Sequence, residues 1–484
     1  MGLSTSLANA LSGLTAASRG AEVVSSNVSN SLTPGYARRE VGLSALSLGG
    51  NGAGVRIDGV SRSVNMTLLS DRRLADGAAA NIGTKTAFLE MIESAIGLPG
   101  EAGALSESVA AFDAALLQAA SRPDVTGRLD DIITTADNLN QKLNDLTNRV
   151  QGARTDADDK IAVLVDELNR TLSQIDELNA DILAQRASGN DATALMDQRQ
   201  RLVDRVGEIV PVREVPRDHD QISLFTTGGA ILLEGNPAVI GFSPAGIITA
   251  DMTLASATLS GLTINGQAVS SGDDGVLGGG LLGAEFAIRD DLAPKIQAQL
   301  DAFARDLMER FEAPGLDPTL LPGQPGLFTD AGAPFNATIE AGLAGRLRLN
   351  ATVDPAQGGA SWRLRDGLGA LTQGPVGDAT LLLVLRDAIT APRTPASGSF
   401  PGSARSVGGL AADILSQVSS QRHTAMSRQS YSVARQAALT ELHYNDGVDT
   451  DAELQTLLQI ERAFSANARV LQTVDDLINR LMEL

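Results

Sequence analysis

A mainly α-helical, multidomain chain with β-rich insertions is the fold this sequence predicts, and three observations predict it. Apolar residues recur in alternating steps of four and three at both ends of the chain. Between those ends, residues 128–187 contain no proline and a single glycine. Only from 212 to 283 does the texture turn to short β-branched runs broken by Gly, Asn and Asp. Aromatic residues make up 3% of the composition, so the cores are built from Leu, Ile, Val and Ala, an alphabet suited to long helical contacts.

At the N-terminus Leu3, Leu7, Ala10, Leu14, Ala17, Ala21, Val24 and Val28 keep the spacing that holds one helix face against a partner helix. The C-terminal segment repeats it with Leu457, Ile460, Phe464, Asn467, Leu471, Val474, Ile478 and Leu481, where the one polar residue fixes register. Each stripe is too narrow to form a core alone. The terminal helices are therefore expected to bury their seams on each other or on neighbouring subunits, as a coiled-coil domain of residues 1–40 with 446–484. Leu7, Leu14, Val24 and Val28, with Phe464, Asn467, Leu471 and Ile478, are the candidate assembly interface.

The stretch SNVSNSLTPGYARRE, residues 26–40, ends the first helix. Pro34 presets the second position of a turn, Gly35 accepts a positive φ at the third, and Thr33 to Tyr36 form a type II turn. Asn27 and Asn30 are placed to hydrogen-bond the backbone as the helix stops. The turn carries the chain out of a thin helix into a wider body.

Residues 41–312 with 404–445 are expected to form that body, a helical rod domain. Ile132, Ala136, Leu139, Leu143, Leu146 and Val150, continued by Ile161, Val165, Leu168, Leu172, Ile175 and Ile182, predict either one very long helix or a helical hairpin turning at TDADD, 155–159. A further helix fits 191–209, before Pro211. ISLFTTGGAILLEGN and LTINGQAV read as β-hairpins within 212–283. Helical spacing returns at Leu292, Ile296, Leu300, Phe303, Leu307 and Phe311, with Pro294 near the start. Residues 313–403, rich in Pro and Gly and carrying the only tryptophan, Trp362, are expected to form a small β-rich outer domain. A helix from about 405 to 443 then leads through the NDG turn at 445–447 into the terminal helix.

The chemistry excluded is as informative. With 38 basic against 58 acidic residues the net charge is −20, which repels nucleic acid and anionic lipid. Membrane insertion is not expected: the longest apolar run is LLLVL at 381–385, against the about 18 residues a span requires. The N-terminus lacks a basic region followed by an apolar core, so no ordinary cleaved secretory signal is expected. There is no cysteine, hence no disulfide or thiolate site. GGGLLG at 278–283 satisfies G-x-G-x-x-G with Asp301 downstream, but no parallel strand follows, and a strand-to-helix turn is preferred. Asp449, Asp451 and Glu453 open like a calcium loop, yet Leu454 and Ile460 stand where Gly and Glu are needed; acids at a helix start suffice to explain them. His219, His423 and His443 form no ligand pair. No catalytic residue, cofactor or metal ligand is expected.

Two segments carry a family resemblance. ALSGLTAASRGAEVVSSNVSN followed by SLTPGYARRE resembles the N-terminal signature of the flagellar axial proteins, a small-residue helix, an Asn-rich segment and T-P-G-Y. QTLLQIERAFSANARVLQTVDDLINRLMEL is similar to that family's closing helix. Both ends match together, and the helix RDDLAPKIQAQLDAFARDLMERF after a Gly-rich turn resembles the members that join hook to filament. Departures are LTELHYNDGVDTDAELQ, where the family often has Ser-Gly-Val-Asn, and 313–403, for which the resemblance offers no counterpart.

The resemblance implies a non-enzymatic, extracellular structural protein, exported through the flagellar type III channel. It further implies a tube of identical subunits, with hook protein and a second junction protein as neighbours and an export chaperone on the C-terminal helix. The terminal helices would be the inner domain and 313–403 the outer one, with Thr33, Pro34, Gly35 and Tyr36 marking the passage between inner and middle domains. The alternatives are another axial subunit, such as the second junction protein, a hook protein or a flagellin-like chain, and an enzyme or adhesin carried on 313–403.

Overall fold

The computed structural model describes residues 2–48, 51–400 and 402–482; the last two residues of the expected terminal domain lie outside these. Helix α1 (Leu3–Asn30) stops where the Asn-rich segment predicts. It leads into an antiparallel hairpin, β1 (Arg38–Leu48) and β2 (Asn51–Ser63). Glycines at 42, 49, 50, 52, 54 and 59 interrupt the alternation that would announce these strands, and the register shifts at Gly42/Leu43 and Ala45/Ser47. The segment expected to open the helical body is thus a ribbon lying beside α1.

Helices α2 (Met66–Ile96) and α3 (Leu105–Ser121) precede α4 (Thr126–Ala187) and α5 (Thr193–Ile209). Asn65 caps α2, its side chain accepting from the Leu68 amide at 3.1 Å. Helix α4 is continuous over 62 residues, roughly 90 Å at 1.5 Å per residue. The hairpin alternative at TDADD does not occur, because its polar groups meet tertiary partners. Asp158 accepts from Arg289 Nη1 and from the Ala245 amide, both at 2.6 Å, and Thr155 accepts from the Ile248 amide at 3.2 Å. Next to them Arg154 donates to the carbonyls of Arg289, Thr249 and Met252 at 2.9, 3.0 and 2.6 Å.

The β-rich stretch forms two small antiparallel sheets. The first is β3 (Val212–Pro216), β4 (Ile222–Thr226), β5 (Ile231–Glu234) and β6 (Asn236–Pro237); the second is β7 (Ile240–Gly241), β8 (Leu262–Ile264) and β9 (Gln267–Val269). Both serve the far half of α4, where Ile161, Val165, Leu168 and Leu172 share a core with Val203, Val206, Leu224, Leu233 and Phe286. GGGLLG is a tight turn into α6 (Gly280–Ala287): Gly280 has φ +59°, and a Cβ there would lie 2.4 Å from the Ile209 carbonyl oxygen. Close backbone approach explains the glycines. One π-helical turn, Ile288–Leu292, then joins α6 to α7 (Ala293–Phe311), with Pro294 in the first turn as predicted.

The expectation of a small β-rich domain at 313–403 is corrected. Its named strands, β10 (Phe328–Asp330) and β11 (Leu347–Leu349), are three residues each, and the regular structure around them is α8 (Leu343–Arg346), α9 (Arg363–Asp366) and α10 (Thr380–Thr390). Phe328, Leu347, Leu364, Leu382 and Ile389 enter one core with Phe112 of α3, Leu139 and Leu143 of α4, and Phe303 and Phe311 of α7. Phe328 meets Phe311 edge-on at 5.1 Å and Phe112 at 5.7 Å between ring centroids. Single apolar residues scattered among Gly and Pro carry no periodicity, so the sequence hides that they cover the near half of α4.

Asp301 of α7 ties this segment down, accepting from the amides of Gly342 (2.8 Å) and Ala344 (2.9 Å) and from Gln297 (2.9 Å). Burial outweighs these bonds and pushes its carboxyl up to about 6 from an ordinary 3.8. The folded chain then holds the proton more tightly than the unfolded one. This contribution, on the order of 3 kcal/mol, is fully present below about pH 4 and is lost as pH rises through about 6. Denaturation midpoints measured at about pH 4 and about pH 7 should differ in that sense, and Asp301→Asn should shrink the difference. An unchanged difference in the variant would remove Asp301 as its source.

The chain ends with α11 (Val407–Asn445), which lies along α2, and α12 (Thr450–Met482). Asp449 caps α12, accepting from the amides of Asp451 (2.9 Å) and Ala452 (3.1 Å), which is the helix-start role its sequence suggests. The mainly helical class with β insertions holds.

Candidate assembly interface

Helices α1 and α12 pack together in antiparallel fashion. A Cβ on Gly13 would fall 2.7 Å from Asn467 Nδ2 and one on Gly20 3.0 Å from Ile460 Cδ1, so the numbering rises along one helix as it falls along the other. These two glycines allow the axes to approach.

Of the two heptad rows on each helix, one is turned inward. Ala10, Ala17 and Val24 of α1 are buried, and Ile460, Asn467 and Val474 of α12 lie on the matching row, Val474 buried and the other two half-buried. In the second rows, Leu7, Leu14, Ala21 and Val28 on one helix and Leu457, Leu471 and Ile478 on the other remain half-buried, and Phe464 is exposed at 46%. Stepping four residues from the first row to the second turns each helix by about 40° in the same sense about its own direction. In an antiparallel pair that brings both second rows to one side. Of the predicted interface residues, Val24 and Asn467 therefore serve the contact within the chain. Leu7, Leu14, Val28, Phe464, Leu471 and Ile478 instead form a double apolar ridge along one edge of the pair.

The opposite edge is a groove. Hairpin β1–β2 forms its outer wall, anchored where the Val55 amide donates to Ser12 Oγ at 3.1 Å. Ala16, Ala17 and Val23 form the floor, with Val41 and Leu43 on one wall and Ile460 and Ala463 on the other. The cavity measures ≈ 530 Å³. Arg38 closes one end by pairing with Glu453 at 2.7 Å; Glu453 is 1% exposed.

The Thr33–Tyr36 turn sits where this pair joins the body. The Tyr36 amide donates to the Thr33 carbonyl at 3.1 Å, and Gly35 takes φ +77°, as the type II reading requires. Asn27, buried, organises the corner: its Oδ1 accepts from Tyr36 Oη and the Arg39 amide, and its Nδ2 donates to the Arg39 carbonyl, all at 2.9 Å. Asp197 of α5 then accepts from Arg62 Nε (2.8 Å), Arg39 Nη2 (3.1 Å) and the Ala37 amide (3.3 Å), fastening hairpin and turn to the body. Sequence reasoning passes over Asp197, Arg39, Arg62 and the Arg38–Glu453 pair. Their partners lie far away along the chain, and no local pattern marks them. Asn27→Ala leaves the Tyr36 hydroxyl and the Arg39 amide without their acceptor, so a loss of about 1–3 kcal/mol is expected. Urea unfolding should show it, with faster hydrogen exchange at Arg39; unchanged exchange there would mean that Asn27 does not hold the corner.

Among the described residues no cluster of His, Asp and Glu is arranged to hold a metal ion, and no helix is long and apolar enough to cross a membrane. The three histidines lie apart, with His219 beside β4 and His423 and His443 on α11. Burial and the nearby Arg72 push the His443 imidazole below its ordinary value.

Residues 89–326 match the family model described as the flagellar hook-associated protein FlgK helical domain, and residues 445–484 that of the flagellar basal body rod FlgEFG protein C-terminal. Flagellar hook-associated protein 1 of Salmonella typhimurium is 27% identical over 250 residues, covering 49% of this chain and 44% of that protein. The Escherichia coli protein of the same name is 26% identical over the same shares. This chain thus spans less than half the length of the curated relatives it matches. The solved structure of the flagellar hook junction protein FlgK from Burkholderia pseudomallei superposes with a TM-score of 0.45 at 21% identity, over 54% of this chain and 47% of that one. The body of the chain, residues 89–326, is thus similar to the helical domain of the flagellar hook-associated proteins, and its closing helix, within 445–484, to a segment of the flagellar rod proteins.

Proposed function

We propose that this chain is a structural subunit of the bacterial flagellum that polymerises as the layer joining hook to filament. One observation carries the reading: the paired terminal helices leave an apolar ridge on one edge and an apolar groove on the other, in a chain whose body matches the hook-associated helical domain. Two unlike faces on opposite edges are what head-to-tail assembly of identical subunits requires. Ridge residues of this kind are stabilised chiefly by packing, so the terminal pair gains its full stability on assembly.

In this reading the neighbours are other copies laterally, hook protein on one side and a second junction protein on the other. An export chaperone covers α12 before assembly, shielding Phe464 and the rest of its ridge. The chain leaves the cell through the flagellar channel, and the absence of cysteine suits passage as an unfolded polypeptide. The role is non-enzymatic.

Electron microscopy of cells lacking the chain, with labelling of a functional tagged copy, tests the assignment. Hooks without filaments, flagellin released to the medium and label confined to the hook–filament boundary are expected. Label spread along hook or filament would instead favour another axial subunit, a reading supported by the match of residues 445–484 to a segment shared with rod proteins.

A further inference from the structure

Resting on that reading, we infer that the ridge of one copy seats in the groove of the next: Leu457, Phe464 and Leu471 of α12 enter the space between α1, α12 and hairpin β1–β2 of a second copy. Size, length and chemistry support the fit. A dry cavity of about 150 Å³ accommodates one benzene, so a groove of ≈ 530 Å³ takes about three large apolar side chains, which is what this ridge offers. Along α12 the groove runs from Glu453 to Asn467 and the ridge from Leu457 to Leu471. Each covers four helical turns, about 21 Å.

The lining matches its occupant. Small and apolar residues, Ala16, Ala17 and Val23, make the floor, and Leu43 on the hairpin wall is 53% exposed. The ionic groups that line the groove are already paired, Arg38 with Glu453 and Glu40, and Arg39 with Asp197. Each charged side chain of the lining thus has a counter-charge, and Phe464 is the one aromatic residue of α1 and α12. Ridge and groove lie on opposite edges of the same helix pair, so the contact is heterologous and repeats from copy to copy without using itself up. The hairpin thereby gains a function: it is the wall that turns a bare helix pair into a socket.

Because the chain has no cysteine, the contact can be tested with introduced thiols. Leu43→Cys and Phe464→Cys, each alone and together, are expressed in full-length protein, allowed to assemble in cells and oxidised mildly. The double variant is expected to give a ladder of disulfide-linked dimers, trimers and higher species. A mixture of the single variants should give dimers, and either single variant alone none. As a second measurement, Ala463→Trp fills the groove from its exposed rim and should abolish incorporation without shifting the melting of the body. Normal assembly of the double variant with no ladder, or of Ala463→Trp with wild-type yield, would overturn the socket and leave the junction role standing. Wild-type protein absent from the hook–filament boundary would instead remove the junction role itself.

Discussion

Phe464→Asp should yield a chain that folds, is exported and fails to enter the junction. Phe464 is 46% exposed in the isolated chain, so a carboxylate there stays in water and should change stability by no more than about 0.5 kcal/mol. Once a neighbour covers the ridge, the same carboxylate is buried without a partner. A penalty of about 3 kcal/mol already lowers association more than 100-fold. Motility should be lost and hooks should lack filaments, while the melting transition of the purified protein is unchanged. Leu471→Asp, at a half-buried position, should block incorporation too and also loosen α12 from α1. Normal incorporation of both variants would show that the ridge is not an assembly surface.

The second large effect is expected in the body. Arg289 and Asp158 are almost wholly buried and bond at 2.6 Å, with Arg154 buried beside them. Asp158→Ala leaves two guanidinium groups facing each other with Asp290 as the main remaining counter-charge, and also frees the Ala245 amide. Removing one partner of a buried pair typically costs about 3–5 kcal/mol, because the other charge is left desolvated. The melting temperature should fall, and protease should cut within 243–260, the loop whose carbonyls Arg154 and Arg289 hold. Replacing both partners by apolar residues, Asp158→Leu with Arg289→Met, should recover part of the loss. A melting curve unaltered by Asp158→Ala would mean that the cluster does not fasten this loop.

The same cluster shows why one element was only half legible. TDADD carries the composition of a turn, and periodicity alone leaves both a rod and a hairpin open. Continuity of α4 is decided by Arg289 and by the amides of Ala245 and Ile248, groups 87 to 131 residues away, which satisfy the polar side chains where water would otherwise have done so. Hairpin β1–β2 escaped notice for a different reason: its glycines and register shifts break the period of two by which strands are recognised. Residues 313–403 misled because their apolar side chains are single contributions to a core that belongs to α3, α4 and α7.

The assembly surface was legible in kind and not in detail. Alternating steps of four and three identify two helices that need partners, and they do so without any knowledge of the fold. They do not say which row meets which partner. That choice rests on Gly13 and Gly20, whose missing side chains admit Asn467 and Ile460, and on the hairpin, which occupies one edge of the pair and leaves the other bare. What could be read from residue order alone is therefore local and periodic: the helices, the Thr33–Tyr36 turn and the apolar stripes. Tertiary structure alone decided which stripe is spent within the chain and which remains for a neighbour, because burial depends on residues brought together from far apart and a heptad carries no record of them.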